Sequence, residues 1–275
     1  MAIFAISDLH LSLSKPKPMD IFGPAWADHA NTIRRNWIAS IKDKDIVLIP
    51  GDISWAMKLP EAMPDLNFLA DLPGTKVLIR GNHDYWWQRR ATNRIQREVN
   101  RNLIFIQGTS IVLDNIGITG TRGWRVDWES RNFEREKDFV ENSRAATADD
   151  KFETSSSDNY QQTVTRHPSA GGRVPITEQQ SERILRRELN YLEQGLLSIP
   201  DTVSLKIAML HFPPFDEHLR PNEFAEMLSR HHVDILVYGH VHIGLGGWIE
   251  GEVAGVRYHI VSADILNFVP KLIVP

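Results

Sequence analysis

The chain is predicted to be a layered α/β protein, with two mixed β-sheets packed together and helices flanking them. Three observations predict this. Short, nearly continuous apolar runs recur at Ile3–Ile6, Ile46–Ile49, Val77–Ile79, Ile207–Leu210 and Ile235–Tyr238. Runs this short and this rich in Ile and Val suit strands buried on both faces. Segments with helical spacing lie between several of them, and two further stretches carry turn-punctuated strand patterns. Strands alternating with helices give the α/β reading, and the turn-rich stretches ask for a second sheet.

The elements follow in chain order. Met1–Ser7 is too short for the apolar region of a signal peptide and lacks its basic flank, so it reads as the first strand. Ile33, Trp37, Ile38 and Ile41 form one apolar helical stripe. The basic and aromatic stretch Tyr85–Arg101 reads as a helix with tryptophans turned inward and arginines in water, in preference to a surface that stacks on a nucleotide. Leu103–Thr121 holds three short strand-like runs separated by Gly and Asn-Ile-Gly turns, expected to be antiparallel. Thr177 and Gln180 form a capping box that opens a helix with the stripe Leu185, Leu189, Leu192 and Leu196. Phe224, Met227 and Leu228 mark another helix. Gly247–Val274 reads as antiparallel strands around Glu-Gly and Ala-Gly turns.

Residues 127–175 differ from the rest. They are polar and charged, with a low-complexity run from Thr154 to Ser157 and few apolar anchors. They read as a solvated insertion or, because they interrupt the series of motifs described next, as a cap that limits which substrates reach the site. The whole of 1–275 is otherwise read as one domain.

Composition narrows the function. Hydrophobic residues make up 42% and charged residues 24%, as in soluble globular proteins. No apolar run approaches the roughly 20 residues of a membrane span. A net charge of -4 supplies no overall basic field, so no strong nucleic-acid footprint is expected. The cysteine count is zero, which excludes disulfides and thiolate metal sites and fits a cytoplasmic location.

Five strand-like runs end in clusters of metal-type ligands: Asp8-Leu9-His10, Gly51-Asp52, Gly81-Asn82-His83-Asp84, His211, and Gly239-His240-Val241-His242. In an open α/β sheet, ligands gather beyond the carboxyl ends of strands, so residues distant in sequence are brought to one edge. A site for two divalent cations needs a bridging carboxylate plus imidazole and oxygen donors. Asp52 is the natural bridge. The Asp-x-His spacing puts Asp8 and His10 on one side of an extended chain, and His240 and His242 share that spacing. Gly51, Gly81 and Gly239 permit sharp turns and close backbone approach.

The order D-x-H, G-D, G-N-H-D, H, G-H-x-H resembles the calcineurin-like metallophosphoesterase superfamily, from Asp8 to His242. The resemblance implies an α+β four-layer sandwich with the metal site at strand carboxyl ends. It implies a first metal on Asp8, His10, Asp52 and His242, and a second on Asp52, Asn82, His211 and His240, the ions being Mn, Fe or Zn. A hydroxide bridging them would attack phosphorus, His83 would act as general acid, and Asp84 would orient His83. The substrate class is a small-molecule or nucleotide-type phosphomonoester or phosphodiester.

The chain also departs from relatives of known type. Protein serine/threonine phosphatases read G-D-x-V-D-R-G, where this chain has Gly51-Asp52-Ile53-Ser54-Trp55-Ala56-Met57, and continue G-N-H with Glu where Asp84 stands here. A protein phosphatase is therefore disfavoured, and Arg80, Arg122 or Arg125 become candidates for a phosphate contact. A nuclease of the same superfamily and a non-catalytic scaffold that keeps the fold are the alternatives. The lack of basic character argues against the first and the full ligand set against the second. His29, His167, His218, His231, His232 and His259 lie outside the motifs and read as ordinary surface or core residues. Gly120–Trp124 reads equally as a pocket-lining turn and as a plain loop with a packed Trp124.

Overall fold

A computed structural model describes residues 1–88, 90–124, 177–216, 218–244 and 247–275. The insertion at 127–175 and Arg125 lie outside the described residues. The first sheet has the order β11-β1-β2-β3-β4, from β1 (Ile3–Ala5), β2 (Ile46–Pro50), β3 (Thr75–Ile79), β4 (Leu103–Phe105) and β11 (Lys271–Val274). The second has the order β5-β6-β7-β8-β10-β9, from β5 (Ser110–Leu113), β6 (Ile116–Thr121), β7 (Leu205–Leu210), β8 (Ile235–Tyr238), β9 (Gly251–Val253) and β10 (Val256–Ile260). Both are mixed with parallel centres: the first has one antiparallel edge, at β11, and the second has two, at β5 and β9.

Alternation along the strands shows how the layers form. Ile3, Ala5, Ile46, Leu48, Val77 and Ile79 meet Ile118, Ile207, Met209, Ile235 and Val237 in a core between the sheets. The intervening residues Phe4, Ile6, Val47, Ile49 and Leu78 face outward. They are covered by α1 (His29–Ser40), α2 (Leu59–Ala70) and α3 (Thr92–Glu98), through residues such as Trp37, Leu66 and Ile95. On the second sheet Ala208, Leu210, Leu236 and Tyr238 are covered by α4 (Glu178–Leu197) and α5 (Glu223–Arg230). Strands enclosed on both faces have no polar side to show, which is why they read as continuous apolar runs. The result is the expected sandwich of four layers.

Several local readings stand. Thr177 and Gln180 form a capping box: the Gln180 N–H donates to Thr177 Oγ1 at 3.2 Å, and the Thr177 N–H to Gln180 Oε1 at 2.9 Å. Trp86 and Trp87 are buried as expected, but in the turn before α3 rather than on the helix. Trp124 is packed, its indole N–H donating to Ser181 Oγ at 2.8 Å.

Others are corrected. β4 pairs parallel with β3 in the first sheet, because α3 intervenes and returns the chain in the same direction; within Leu103–Thr121 the antiparallel pair is β5 with β6 alone. Its turn falls on Asp114 and Asn115, both left-handed (φ 46° and 65°), the geometry of a two-residue hairpin. β10 pairs antiparallel with β9 but parallel with β8, while β11 crosses to the first sheet. Ile38 does not join its stripe: it is 57% exposed, whereas Ile33 and Trp37 are buried and Ile41 follows the helix end. Among the described residues no helix is long and apolar enough to cross a membrane.

Candidate active site

β1, β2, β3, β7 and β8 all end at one edge of the sandwich, and each chain segment turns sharply there. Asp8 (φ 56°), His10 (φ 45°), Asp52 (φ 51°) and His240 (φ 70°) all adopt left-handed backbone, which costs a non-glycine residue about 1–2 kcal/mol. Such strain persists where surrounding contacts over-determine it, and it clusters at functional sites. The pleat therefore is not what unites Asp8 with His10, as the spacing suggested. Left-handed turns aim them. These turns are tied to each other: the N–H of Asp8 donates to Gly51 O at 3.0 Å, and that of His10 to Asp52 O at 3.0 Å.

Two of the motif glycines serve close approach. A Cβ on Gly81 would overlap the Asp52 carboxylate, and one on Gly239 would overlap Asp8 Oδ2 and Ser7 Oγ. Only hydrogen fits at either place.

The side chains converge as follows. Asp52 is fully enclosed, with Oδ1 3.5 Å from His211 Nε2 and Oδ2 3.8 Å from His10 Nε2. Asp8 Oδ1 lies 3.8 Å from His242 Nε2, and its carboxylate accepts from the His240 N–H at 3.0 Å and from Ser262 Oγ at 3.1 Å. His211 Nε2 is 2.5 Å from Asn82 Oδ1, and its Nδ1 is 3.0 Å from Pro50 O. The His240 ring packs 5.0 Å from that of His211. Donor atoms of Asp8, His10 and His242 lie within 4.8 Å of one another, as do those of Asp8, Asp52 and His211. All seven ligand candidates thus come to one place.

The electrostatics show what that place lacks. Burial pushes the Asp8 carboxyl up to about 6, against the opposing charge of His242 and hydrogen bonds from Ser7 and His240. Burial, then the charges of Asp8 and Asp84, push Asp52 well above the carboxylate range. Burial drives His211 down to about 3 and His10 well below its ordinary value. His242 is pushed the other way: burial disfavours its charge, but Asp264, Asp8 and Asp52 raise it to about 9. Buried carboxyls enclosed with the neutral imidazoles of His10 and His211, and with His242 as a protonated neighbour, are short of positive charge. His10 Nδ1 is also buried without a hydrogen-bond partner among the described residues. Carboxylate, imidazole and amide donors with that deficit fit divalent Mn, Fe or Zn.

The remaining motif residues frame the cluster. His83 is partly open, with Nε2 4.0 Å from Asp52 Oδ2 and Nδ1 3.3 Å from the Tyr85 hydroxyl. The Asp84 carboxylate accepts from the N–H groups of Ile53 (2.9 Å), Ser54 (3.1 Å) and Gly81 (2.8 Å) and from the Trp86 indole (3.1 Å). These bonds bind the ends of β2 and β3 together. Of the arginine candidates, Arg122 is buried with its guanidinium 4.9 Å from the Trp124 ring. Arg80 has a buried Nε without a hydrogen-bond partner among the described residues, and its charge acts on Asp84.

Two contributors escaped the sequence reading. Asp264, just beyond β10, holds His242 Nδ1 at 3.0 Å and the Ile243 N–H at 2.9 Å. Ser262 in the same segment meets Asp8. Ser262-Ala263-Asp264 is a sixth strand end, and the strand-end rule would have found it had β10 been read as parallel. His29, read as a surface or core residue, is a core one, and its Nε2 lies 3.3 Å from His10 O.

The model of the calcineurin-like phosphoesterase family matches residues 1–244. This chain belongs to that family. It is therefore a metal-dependent hydrolase of phosphoric esters, and membership implies a dinuclear divalent-metal site where the side chains converge. No curated protein matches the sequence. Among solved structures, a phosphopantetheinyl hydrolase from Mycobacterium tuberculosis is similar at a TM-score of 0.51 and 16% identity, covering 100% of this chain and 96% of that one. A protein of unknown function from Aquifex aeolicus is similar at a TM-score of 0.42 and 14% identity, covering 98% and 95%. At 16% identity the likeness to the hydrolase is one of fold.

Proposed function

We propose that this phosphoesterase cleaves a small or nucleotide-type phosphomonoester or phosphodiester, with two divalent cations held by the seven converging side chains and His83 as general acid. The first cation is assigned to Asp8, His10, Asp52 and His242, the second to Asp52, Asn82, His211 and His240. The observation that carries this reading is the placing of Asp52, whose two oxygens face His211 on one side and His10 on the other. One carboxylate so flanked suits a bridge. Mn, Fe and Zn all match the donors. When bound, the cations lower the pKa of a water and offset phosphoryl charge.

The protein groups have separable tasks. His83 Nε2 is the ring nitrogen aimed at the cluster, since Nδ1 faces Tyr85, and its partial exposure lets a leaving oxygen approach. It is the group that returns a proton to that oxygen. Asp84 positions His83 through the backbone, by holding the Gly81 N–H at the head of the loop. Asp264 fixes the His242 ring so that Nε2 points to Asp8, the usual service of a carboxylate to a ligating imidazole.

Protein reconstituted with Mn²⁺ and assayed on p-nitrophenyl phosphate and its bis ester tests the reading. Hydrolysis is expected, and His83→Ala should cost about 10²- to 10⁴-fold in kcat while metal content holds. Failure to cleave either ester with Mn²⁺, Fe²⁺, Zn²⁺ or Ni²⁺ would refute it.

A further inference from the structure

We propose that Lys17, carried on the ring of Trp55, selects phosphoesters whose leaving group bears its own negative charge. The Lys17 ammonium sits 3.1 Å from the centroid of Trp55. That indole stacks on His10 (4.8 Å, 22°) and meets the ring of His83 at 4.4 Å. A cation is thus held one ring beyond the proposed acid, close enough for its charge to act on His10. Lys17, Trp55, His83 and Tyr85 are all partly exposed, whereas Asp8, His10, Asp52 and His211 are buried, so these four form the rim that an entering substrate meets.

The loop that carries Lys17 is built to hold still. Leu11 bridges to Ser54, and the Trp55 N–H donates to Leu11 O at 2.9 Å. The Leu13 N–H donates to the buried Asp65 at 2.8 Å, and Ser14 Oγ to Glu61 O at 2.7 Å. The Lys17 N–H returns to Ser12 Oγ at 3.1 Å, and the Trp55 indole N–H reaches Met19 Sδ at 3.2 Å. Ordering a long lysine on an aromatic face costs rotamer entropy, which the cation–ring contact and the hydrogen bonds of this loop offset in part. A leaving group departing past His83 passes Trp55, over whose ring the Lys17 ammonium lies. The chemistry recognised is a carboxylate or a second phosphate on the leaving group.

This inference rests on the proposed phosphohydrolase reading, and the test separates the two. The esters are 4-carboxyphenyl phosphate, its neutral isostere 4-carbamoylphenyl phosphate, and 1,4-phenylene bisphosphate, each assayed with Mn²⁺-loaded protein. The carbamoyl group withdraws more electron density, so intrinsic reactivity favours the neutral ester, and any preference for the carboxylate comes from the protein. Wild type should favour one or both anionic esters in kcat/KM by about tenfold, the worth of one charge-assisted contact, mostly through KM. Lys17→Met, which keeps the stem over Trp55, should abolish the preference; Lys17→Arg should keep it, and Lys15→Met should leave it alone. Calorimetric binding of 4-hydroxybenzoate against 4-hydroxybenzamide gives a readout without turnover, with the same order expected. Equal ratios in wild type and Lys17→Met, or equal binding of the two phenols, would overturn the role of Lys17. Loss of all hydrolysis with the binding difference intact would instead overturn the phosphohydrolase reading. Should Lys17→Met melt early, Lys17→Gln is read in its place.

Discussion

Asp84→Asn separates two roles for a buried carboxylate. Asp84 accepts three bonds on Oδ1, from Ile53, Ser54 and Trp86, and one on Oδ2, from Gly81. All four partners are donors. An amide can keep its oxygen toward three of them, but its NH₂ then confronts the Gly81 N–H, or the reverse. One buried donor left unmatched costs about 1–3 kcal/mol, and the surviving bonds lose their charge assistance. Burial holds the Asp84 carboxyl above its ordinary value, so removing the charge returns part of that cost. The net destabilisation is about 2 kcal/mol, a fall in Tm of about 5 °C for a domain near this size. Thermal melts followed by circular dichroism, in Mn²⁺ and in EDTA, measure it. kcat should fall as well, because Gly81 leads directly into Asn82 and His83. An unchanged Tm with a displaced limb of the pH–rate profile would refute the reasoning, since the carboxylate would then act on the His83 ring and not on the backbone.

Other outcomes follow from the same geometry. Gly239→Ala places a Cβ against Asp8 and Ser7, so the β8 end must shift; destabilisation of about 1–3 kcal/mol and loss of bound metal by elemental analysis are expected, and unaltered metal content would count against the close approach. In EDTA, Tm should fall between pH 6.5 and 9. The folded value for His242, about 9, lies above the ordinary 6.5, so its stabilisation is whole below pH 6.5 and is lost as pH rises through 9. The raised carboxyl of Asp52 acts in the same direction, losing stability as pH rises. Saturating Mn²⁺ should flatten the slope, because the cations replace the protons; equal slopes with and without metal would contradict the charge deficit.

The sequence made the cluster of carboxylates and imidazoles legible because each group sits at the end of a strand whose apolar run is unbroken. Asp8, Asp52, Asn82, His211 and His240 could be placed from that pattern alone. What it hid has physical causes. β10 alternates as Val-Arg-Tyr-His-Ile, with Arg257 exposed and His259 half-buried, so its parallel pairing and the following Asp264 were masked. α2 carries Pro60 near its start and Pro64 inside, which breaks the periodic signal although Leu66 and Leu69 are fully buried. Ile38 matched a helical stripe but faces solvent, because a stripe does not say which edge of a helix a sheet covers. Lys17 over Trp55 is a contact between two loops, and no spacing rule reaches across them.

Metal stoichiometry tests the central claim most directly. Wild-type protein, dialysed and reconstituted with Mn²⁺, should retain about two equivalents by elemental analysis, and Asp52→Ala should retain fewer, because both prospective ions share that carboxylate. Folded wild-type protein that takes up no transition metal, or an Asp52→Ala variant that holds the full complement, would contradict it.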